Sequence, residues 1–301
     1  MKRRGRRSGG QASVGVIGGS GLYDIEGLQS IHEVRVRTPF GSPSDAITVG
    51  TLRGTRVAFL SRHGRGHRLS PSEINYRANI YALKALGVSQ VISVSAVGSM
   101  KESIEPGDVV IPDQFIDLTK QRASTFFEGG VVAHVAFGEP ICAALAHAVA
   151  SSGERLGAAL HRGGTYLCME GPQFSTKGES QLYRQWGVDV IGMTNMPEAK
   201  LAREAELCYA TMALVTDYDC WHDTEAAVTV DAILATLRRN VILAKRILLE
   251  VLPSVVAAPG CPCHRALDDA IVTAPSTVPA AVKKKMALLT RRVLTSTKGA
   301  R

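Results

Sequence analysis

Tyr209-Ala210-Thr211-Met212-Ala213-Leu214-Val215-Thr216-Asp217-Tyr218-Asp219-Cys220-Trp221 is an apolar run that ends on two aspartates one residue apart. A run of this length bounded by polar residues reads as a buried strand. In open α/β sheets, ligands gather where strands end. Two carboxylates that face one pocket cannot both ionise cheaply. One of them is therefore expected to hold its proton near neutral pH and to serve as an acid.

Further strand-like runs lie at 14–19, 57–61, 91–95, 108–112 and 188–191. Helical patterns stand between them. One opens at Pro71-Ser72-Glu73 and stops at Gly87; a second runs from Glu139-Pro140 to about Leu156. Others cover 178–186, 198–207 and a long stretch from Thr229 to about Val251, ended by Pro253. Strands alternating with helices predict a layered α/β domain. The chain divides into a basic tail at 1–13, expected to be disordered, a domain at 14–253, and a Pro/Ala-rich extension at 254–301. A basic amphipathic helix is expected over 280–295 of that extension.

With 301 residues, 45% of them hydrophobic, the chain has material for a large core. It has no run of 18 apolar residues, so no transmembrane helix is expected. No apolar segment follows the basic N-terminus, which makes a cytoplasmic location the default expectation. The net charge is +8, but five basic residues lie in 1–13 and seven in 275–301, and neither segment holds an acid. With those 12 set aside, 23 Lys and Arg face 27 Asp and Glu over 14–274, a net of −4. The basicity belongs to the tails, which disfavours a nucleic-acid-binding function.

The six cysteines are few for a disulfide scaffold. Cys142, Cys168, Cys208 and Cys220 read as small buried thiols. Cys261-Pro262-Cys263-His264 is a close pair beside a histidine. A metal would need further ligands, and no second Cys/His pair has zinc-site spacing, so a local disulfide or a free surface pair is expected.

Several loops at strand ends carry chemistry. Gly18-Gly19-Ser20-Gly21 is no dinucleotide fingerprint, since Asp24 stands at the third glycine position; it is either a phosphate-binding turn or a plain tight turn. Residues 61–68 are a solvated basic loop or an anion site. His63 and His67 have metal-like spacing, but their basic neighbours oppose a cation, whereas Arg offers a planar fork to phosphate oxygens. Ser93 to Ser99 is ordinary turn chemistry or a cradle of N–H groups. Residues 170–175 and 192–198 set apolar beside polar side chains, with Thr194 and Asn195 also readable as helix caps. Together these loops supply anion donors, apolar plates and a carboxylate pair. That combination suits a phosphate beside a planar, protonatable ring.

At this point a resemblance emerges. It rests on Gly-Val-Ile-Gly-Gly-Ser-Gly-Leu at 15–22, Thr38-Pro39-Phe40-Gly41, Arg62-His63-Gly64-Arg65, Asn75-Tyr76-Arg77-Ala78-Asn79, Pro106-Gly107-Asp108, Asp113-Gln114-Phe115-Ile116-Asp117, Glu170-Gly171-Pro172-Gln173-Phe174-Ser175 and Thr216-Asp217-Tyr218-Asp219-Cys220-Trp221. Over about 14–252 the chain resembles the trimeric purine nucleoside phosphorylase family, and within it the branch acting on 5′-methylthioadenosine. The Cys261–Ala270 segment resembles a tail of thermophilic archaeal members, and in a thermophile-like member Cys142 and Cys208 could also pair.

The resemblance implies a single α/β domain with a central mixed, twisted sheet flanked by helices. It implies phosphate-dependent cleavage of an N-glycosidic bond, with inorganic phosphate as co-substrate and no metal or organic cofactor. It implies a homotrimer or a dimer of trimers. By the same resemblance, phosphate should meet Ser20, Arg62, His63, Ser95, the Ala96 N–H and Thr194, although the family often has Thr at the positions of Ser20 and Ser95. Phe174 should stack on the base and Met193 should lie against the ribose. Asp217 should carry the proton for purine N7 and Asp219 should hold the 6-amino group. Val230, Leu234 and a neighbouring subunit's copy of His134 should line the 5′ pocket. A broader purine nucleoside phosphorylase acting on adenosine or inosine is the alternative within this class. A nucleoside-binding or nucleic-acid-associated protein is the alternative outside it.

Overall fold

The computed structural model describes residues 12–19, 21–22, 25–222, 230–255 and 260–294, with the backbone alone over 230–234. Eleven strands among these form one mixed sheet. In chain order they are β1 (Val14–Gly18), β2 (Gln29–Val34), β3 (Ile47–Leu52), β4 (Thr55–Ser61), β5 (Gln90–Ser99), β6 (Val109–Ile111), β7 (Gln114–Asp117), β8 (Leu160–Arg162), β9 (Thr165–Cys168), β10 (Val190–Gly192) and β11 (Cys208–Asp217). The helices are α1 (Tyr76–Ala85), α2 (Ala143–Arg155), α3 (Lys177–Gln185), α4 (Asn195–Glu204), α5 (Val230–Val251) and α6 (Ala280–Leu294).

β5 is the hub. Its first residues pair in parallel with β1, its last two pair antiparallel with β10, and its other edge runs parallel to β11. β5 is buried along its length except at Ala96, and β11 is buried up to Thr216. Strands covered on both faces read as continuous apolar runs, which is why 209–215 is legible as a strand. From the hub one arm continues β1–β4–β3–β2, another β10–β9–β7, and a third β11–β6–β8. The ends of β5, β10 and β11 therefore converge, and the loops after β1, β4 and β9 reach the same region.

Two helices begin later than the sequence pattern predicts. α1 starts after Asn75, whose side chain accepts the Ala78 N–H at 3.1 Å and donates to the Phe40 carbonyl at 2.7 Å. Residues 71–73 form a turn instead, tied by the Tyr76 hydroxyl to the Pro71 carbonyl at 2.9 Å. α2 starts at Ala143 rather than near Pro140.

α6 packs through Met286, Leu289 and Thr290. Its Lys285 pairs with Glu128 at 3.3 Å, and Arg292 pairs with Glu206 and Asp268. Part of the basic extension is thus ion-paired on the surface of the domain, at roughly 0–1 kcal/mol per exposed pair. Among the described residues no helix is long and apolar enough to cross a membrane.

Candidate active site

The aspartate pair is set in place by a break in the sheet. β11 keeps register with β5 from Cys208↔Gln90 to Val215↔Val97, then slips so that Asp217 stands opposite Gly98. A bulge of this kind re-aims a side chain at the end of a strand. A Cβ on Gly98 would lie 2.9 Å from Asp217 Oδ1 and 3.3 Å from the Asp219 Cβ, so a larger residue here would push the Asp217 carboxylate out of its place. Asp219 takes a left-handed backbone with φ of 54°. Trp221 anchors the segment by donating its indole N–H to the Ser99 carbonyl at 2.8 Å, with the Arg184 guanidinium 3.4 Å from its ring centroid.

The two acids differ in their surroundings. Asp219 is buried and accepts the Ser180 hydroxyl at 2.6 Å. Burial raises its carboxyl above the ordinary value, against the hydrogen bonds from Ser180 and its neighbours. Asp217 is half-buried. Its Oδ1 accepts the Asp219 N–H at 2.8 Å, and its Oδ2 lies 2.7 Å from Thr216 Oγ1. The Thr216 hydroxyl has a second acceptor, the Val97 carbonyl at 3.2 Å, but only one hydrogen to give. When that hydrogen goes to Val97, Asp217 Oδ2 can carry its own proton and donate it to Thr216. The geometry therefore accepts Asp217 with or without a proton.

Beside this pair lies a group of polar side chains at the ends of β4, β5 and β10. Arg62 is 2% exposed. It forks onto Glu198 through Nε and Nη2, both at 2.9 Å, and donates to the Val94 carbonyl at 2.9 Å and to Ser93 Oγ at 2.6 Å. Burial opposes its charge, but Glu198 outweighs that and holds Arg62 above its ordinary value. Glu198 also accepts the Ser93 hydroxyl at 2.8 Å and the Tyr209 hydroxyl at 2.9 Å. Asn195 continues the network to Tyr209 and Thr211.

Three hydroxyls in this region are not committed to the buried network. Ser95 Oγ and the Tyr166 hydroxyl are buried beside each other and have no other side-chain hydrogen-bond partner. Thr194 occupies the N-cap of α4, yet its side chain makes no capping bond, so the capping alternative does not hold for it. Asn195, the other capping candidate, is spent in the buried network. Ala96 is the exposed residue of β5. The Tyr166 ring fixes the backbone beneath: a Cβ on Gly192 would stand 1.9 Å from its hydroxyl.

His63 sits half-buried at the edge, stacked on His67 with ring centroids 4.1 Å apart. Its Nδ1 lies 2.8 Å from the Leu69 carbonyl, which fixes the proton on Nδ1 and leaves Nε2 as an acceptor. Burial pushes the imidazole down to about 4 against the Leu69 bond, with the Arg62 charge acting in the same direction as burial. The folded value lies below the ordinary 6.5. This contribution to stability is therefore present above pH 6.5 and lost as the pH falls through 4, on the order of 3 kcal/mol in full. Between neutral pH and about pH 4, His63→Asn should lose less unfolding free energy than the parent by about that amount. Equal losses in denaturant melts of the two proteins would remove the claim.

The nucleoside-side candidates are less closely gathered. Phe174 is 59% exposed, on the loop between β9 and α3. Met193 is half-buried, and a Cβ on Gly171 would lie 2.6 Å from its sulfur. Arg122, which the sequence reading did not single out, ties the two loops together. It donates to the Met193 carbonyl at 2.6 Å, the Met196 carbonyl at 2.7 Å and the Glu170 carbonyl at 2.6 Å. His134 is exposed on the strip 131–137, and its N–H donates to the Ala270 carbonyl at 2.8 Å. Ser20 and the side chains of Val230 and Leu234 lie outside the described residues.

The cysteine expectations need correction. All six cysteines among the described residues are unbridged, and Cys263 is buried, not on the surface. Cys142, Cys168 and Cys208 are buried as expected, but Cys142 and Cys208 also meet Cys261 and Cys263 in space. Those partners stand 53 and 119 residues from Cys261 in the chain, beyond any local spacing rule.

Comparison with known proteins agrees with this architecture. The model of the phosphorylase superfamily matches residues 13–253, and the chain belongs to that superfamily. It is 57% identical to the S-methyl-5′-thioadenosine phosphorylase of Geobacter sulfurreducens, covering 92% of this chain and 97% of the relative. Against the protein of the same name from Koribacter versatilis the identity is 58%, covering 93% and 96%. A crystal structure of methylthioadenosine phosphorylase from an Antarctic soil metagenomic library superposes with a TM-score of 0.89 at 50% identity, covering 93% of this chain and 99% of that one. A mutant of the Schistosoma mansoni adenosine/methylthioadenosine phosphorylase, in complex with adenine, superposes with a TM-score of 0.80 at 35% identity, covering 85% and 97%.

Proposed function

We propose that this protein cleaves 5′-methylthioadenosine with inorganic phosphate, giving adenine and 5-methylthioribose 1-phosphate. One observation carries the reading: the buried Ser95 hydroxyl, near Arg62, stands on the same strand, β5, as Gly98, against which Asp217 is set. Ser95 and Gly98 are three residues apart on β5, about 10 Å. That is the span of a ribose between a phosphate and a purine ring. The names of the relatives supply the 5′-methylthio group.

In this reading phosphate is held by Ser20, Arg62, Ser95, the Ala96 N–H and Thr194. The Nε2 lone pair of His63 accepts the hydroxyl of hydrogenphosphate. A phosphate oxygen attacks C1′ as the bond to purine N9 breaks, and the pair of electrons left on the base is met by a proton from Asp217 at N7. Asp217 is left as a carboxylate and takes a proton back from solvent, while the ribose 1-phosphate releases the phosphate proton to solvent, so the reaction balances without a cofactor. Orientation supplies part of the rate, and the proton transfer roughly 10²–10⁴ of it. Asp219 holds the 6-amino group, Phe174 covers the ring and Met193 lies against the ribose. Val230 and Leu234 line the 5′ pocket, and His134 completes the pocket of a neighbouring subunit in a trimer or a dimer of trimers. The exposure of His134 supports that role.

Adenosine is a second substrate in this account, since a relative is named for both nucleosides. An apolar pocket separates methylthio from hydroxyl by only about 1–3 kcal/mol. The test of reaction class is phosphate dependence. Turnover of 5′-methylthioadenosine should vanish in phosphate-free buffer and return with added phosphate. Undiminished release of adenine without phosphate would make the protein a hydrolase.

A further inference from the structure

Four cysteines from three parts of the chain meet at one point, away from the aspartate pair. Cys142 is the residue before α2, Cys208 opens β11, and Cys261 and Cys263 flank Pro262 in the segment beyond α5. Their four sulfurs all lie within 4.8 Å of one another. Cys261 Sγ is 3.8 Å from Cys142 Sγ and 3.4 Å from Cys208 Sγ. A tetrahedral ion bound by four thiolates at about 2.3 Å sets its sulfurs about 3.8 Å apart. Thiols buried only for their apolar character have no reason to gather with their sulfurs inward. A disulfide pairs sulfurs two by two at about 2.05 Å, whereas Cys261 stands at similar distances from two partners.

We infer that Cys142, Cys208, Cys261 and Cys263 bind a structural zinc ion. Four protein thiolates would fill all four positions of a tetrahedral ion, which suits a structural ion and not a catalytic one. The surroundings fit the charge. Cys142 stands at the N-terminus of α2, where the helix dipole favours a thiolate. His264 lies alongside, with Nδ1 3.1 Å from the Glu206 carbonyl and Nε2 3.7 Å from Cys208 Sγ. A cavity of about 210 Å³ lined by Gln90, Cys142, Leu145, Cys208 and Cys261 gives the ion a way in.

The ion would staple the C-terminal segment to α2 and β11. That segment runs on to Leu267, whose N–H meets Glu206 at 3.1 Å, and to Ala270, whose carbonyl receives the His134 N–H at 2.8 Å. Ile271 bridges Ala133 next to it. Zinc thus holds the strip that carries His134, and its loss should loosen that strip before it reaches the phosphate pocket.

The test uses the full chain, purified without chelator from zinc-supplemented culture. Elemental analysis should find one zinc per chain. Exchange into cobalt(II) should give visible d–d bands and a near-ultraviolet thiolate-to-cobalt charge-transfer band of a tetrahedral tetrathiolate. The Cys261→Ala/Cys263→Ala variant should lose both signals and melt at a lower temperature while still turning over nucleoside. Cys168→Ala, outside the cluster, should keep both signals. The metal readings on the unmutated protein stand whether or not the variant folds, and they do not depend on the phosphorylase reading. Metal-free protein that takes up no cobalt after reduction would overturn the inference. Alkylation before reduction that finds these four cysteines joined in two disulfides would overturn it as well, and stoichiometric iron would overturn the choice of ion.

Discussion

Asp217→Asn should lower kcat/KM for adenine nucleosides by roughly 10²–10⁴ and leave the fold intact. The amide keeps one oxygen to accept the Asp219 N–H, now met at 2.8 Å, and its NH2 can donate to the Thr216 hydroxyl now at 2.7 Å. What it cannot do is give up a proton as charge builds on the departing base. The loss should therefore appear mainly in kcat, because the interaction matters most in the transition state. A nucleoside whose base leaves easily without protonation should suffer less. Unchanged turnover of 5′-methylthioadenosine by this variant would show that Asp217 is not the acid.

Glu198→Ala should be the most damaging single change to stability. It strands a guanidinium that is 2% exposed and removes the acceptor of the Ser93 and Tyr209 hydroxyls. Removing one partner of a buried ion pair costs about 3–5 kcal/mol, because the other charge stays buried. In a domain of this size that lowers the melting temperature on the order of 10 °C. Arg62→Met/Glu198→Leu should recover part of this loss, since no charge is left buried, but it should still bind phosphate weakly. Calorimetry and the KM for phosphate together separate the two effects. If Glu198→Ala melted like the parent, the pair would not be a structural keystone of the pocket.

The sheet hub was legible because its two strands are covered on both faces, so that 91–95 and 209–215 read as apolar runs. β7, β8 and β9 were not, since three or four residues are too few to show a period. β2 is exposed along nearly its whole length and carries no apolar alternation. β3 holds Gly50, which interrupts its pattern; a Cβ there would meet Leu28 at 2.7 Å. The site shows the same division. The acids, Arg62 and the hydroxyls announce themselves by type and place. Glu198 reads as one more acid in the first turn of a helix, and only the fold brings its carboxylate to Arg62. Gly98 is an isolated glycine near a strand end, and its need appears only when the bulge in β11 brings Asp217 over it. Arg122 acts between two loops that are distant in sequence. Cys142 and Cys208 likewise join Cys261 and Cys263 through the third dimension.

The central claim is that the anion pocket and the carboxylate pair form one phosphorolytic site for a 6-aminopurine. Crystals soaked with adenine and phosphate test it most directly. Electron density should place N7 of the base against the Asp217 carboxyl and the 6-amino group toward Asp219. The phosphate should lie within hydrogen-bond reach of Arg62, Ser95 and Thr194. Adenine bound away from Asp217, or phosphate bound away from Ser95 and Thr194 at saturating concentration, would contradict the account.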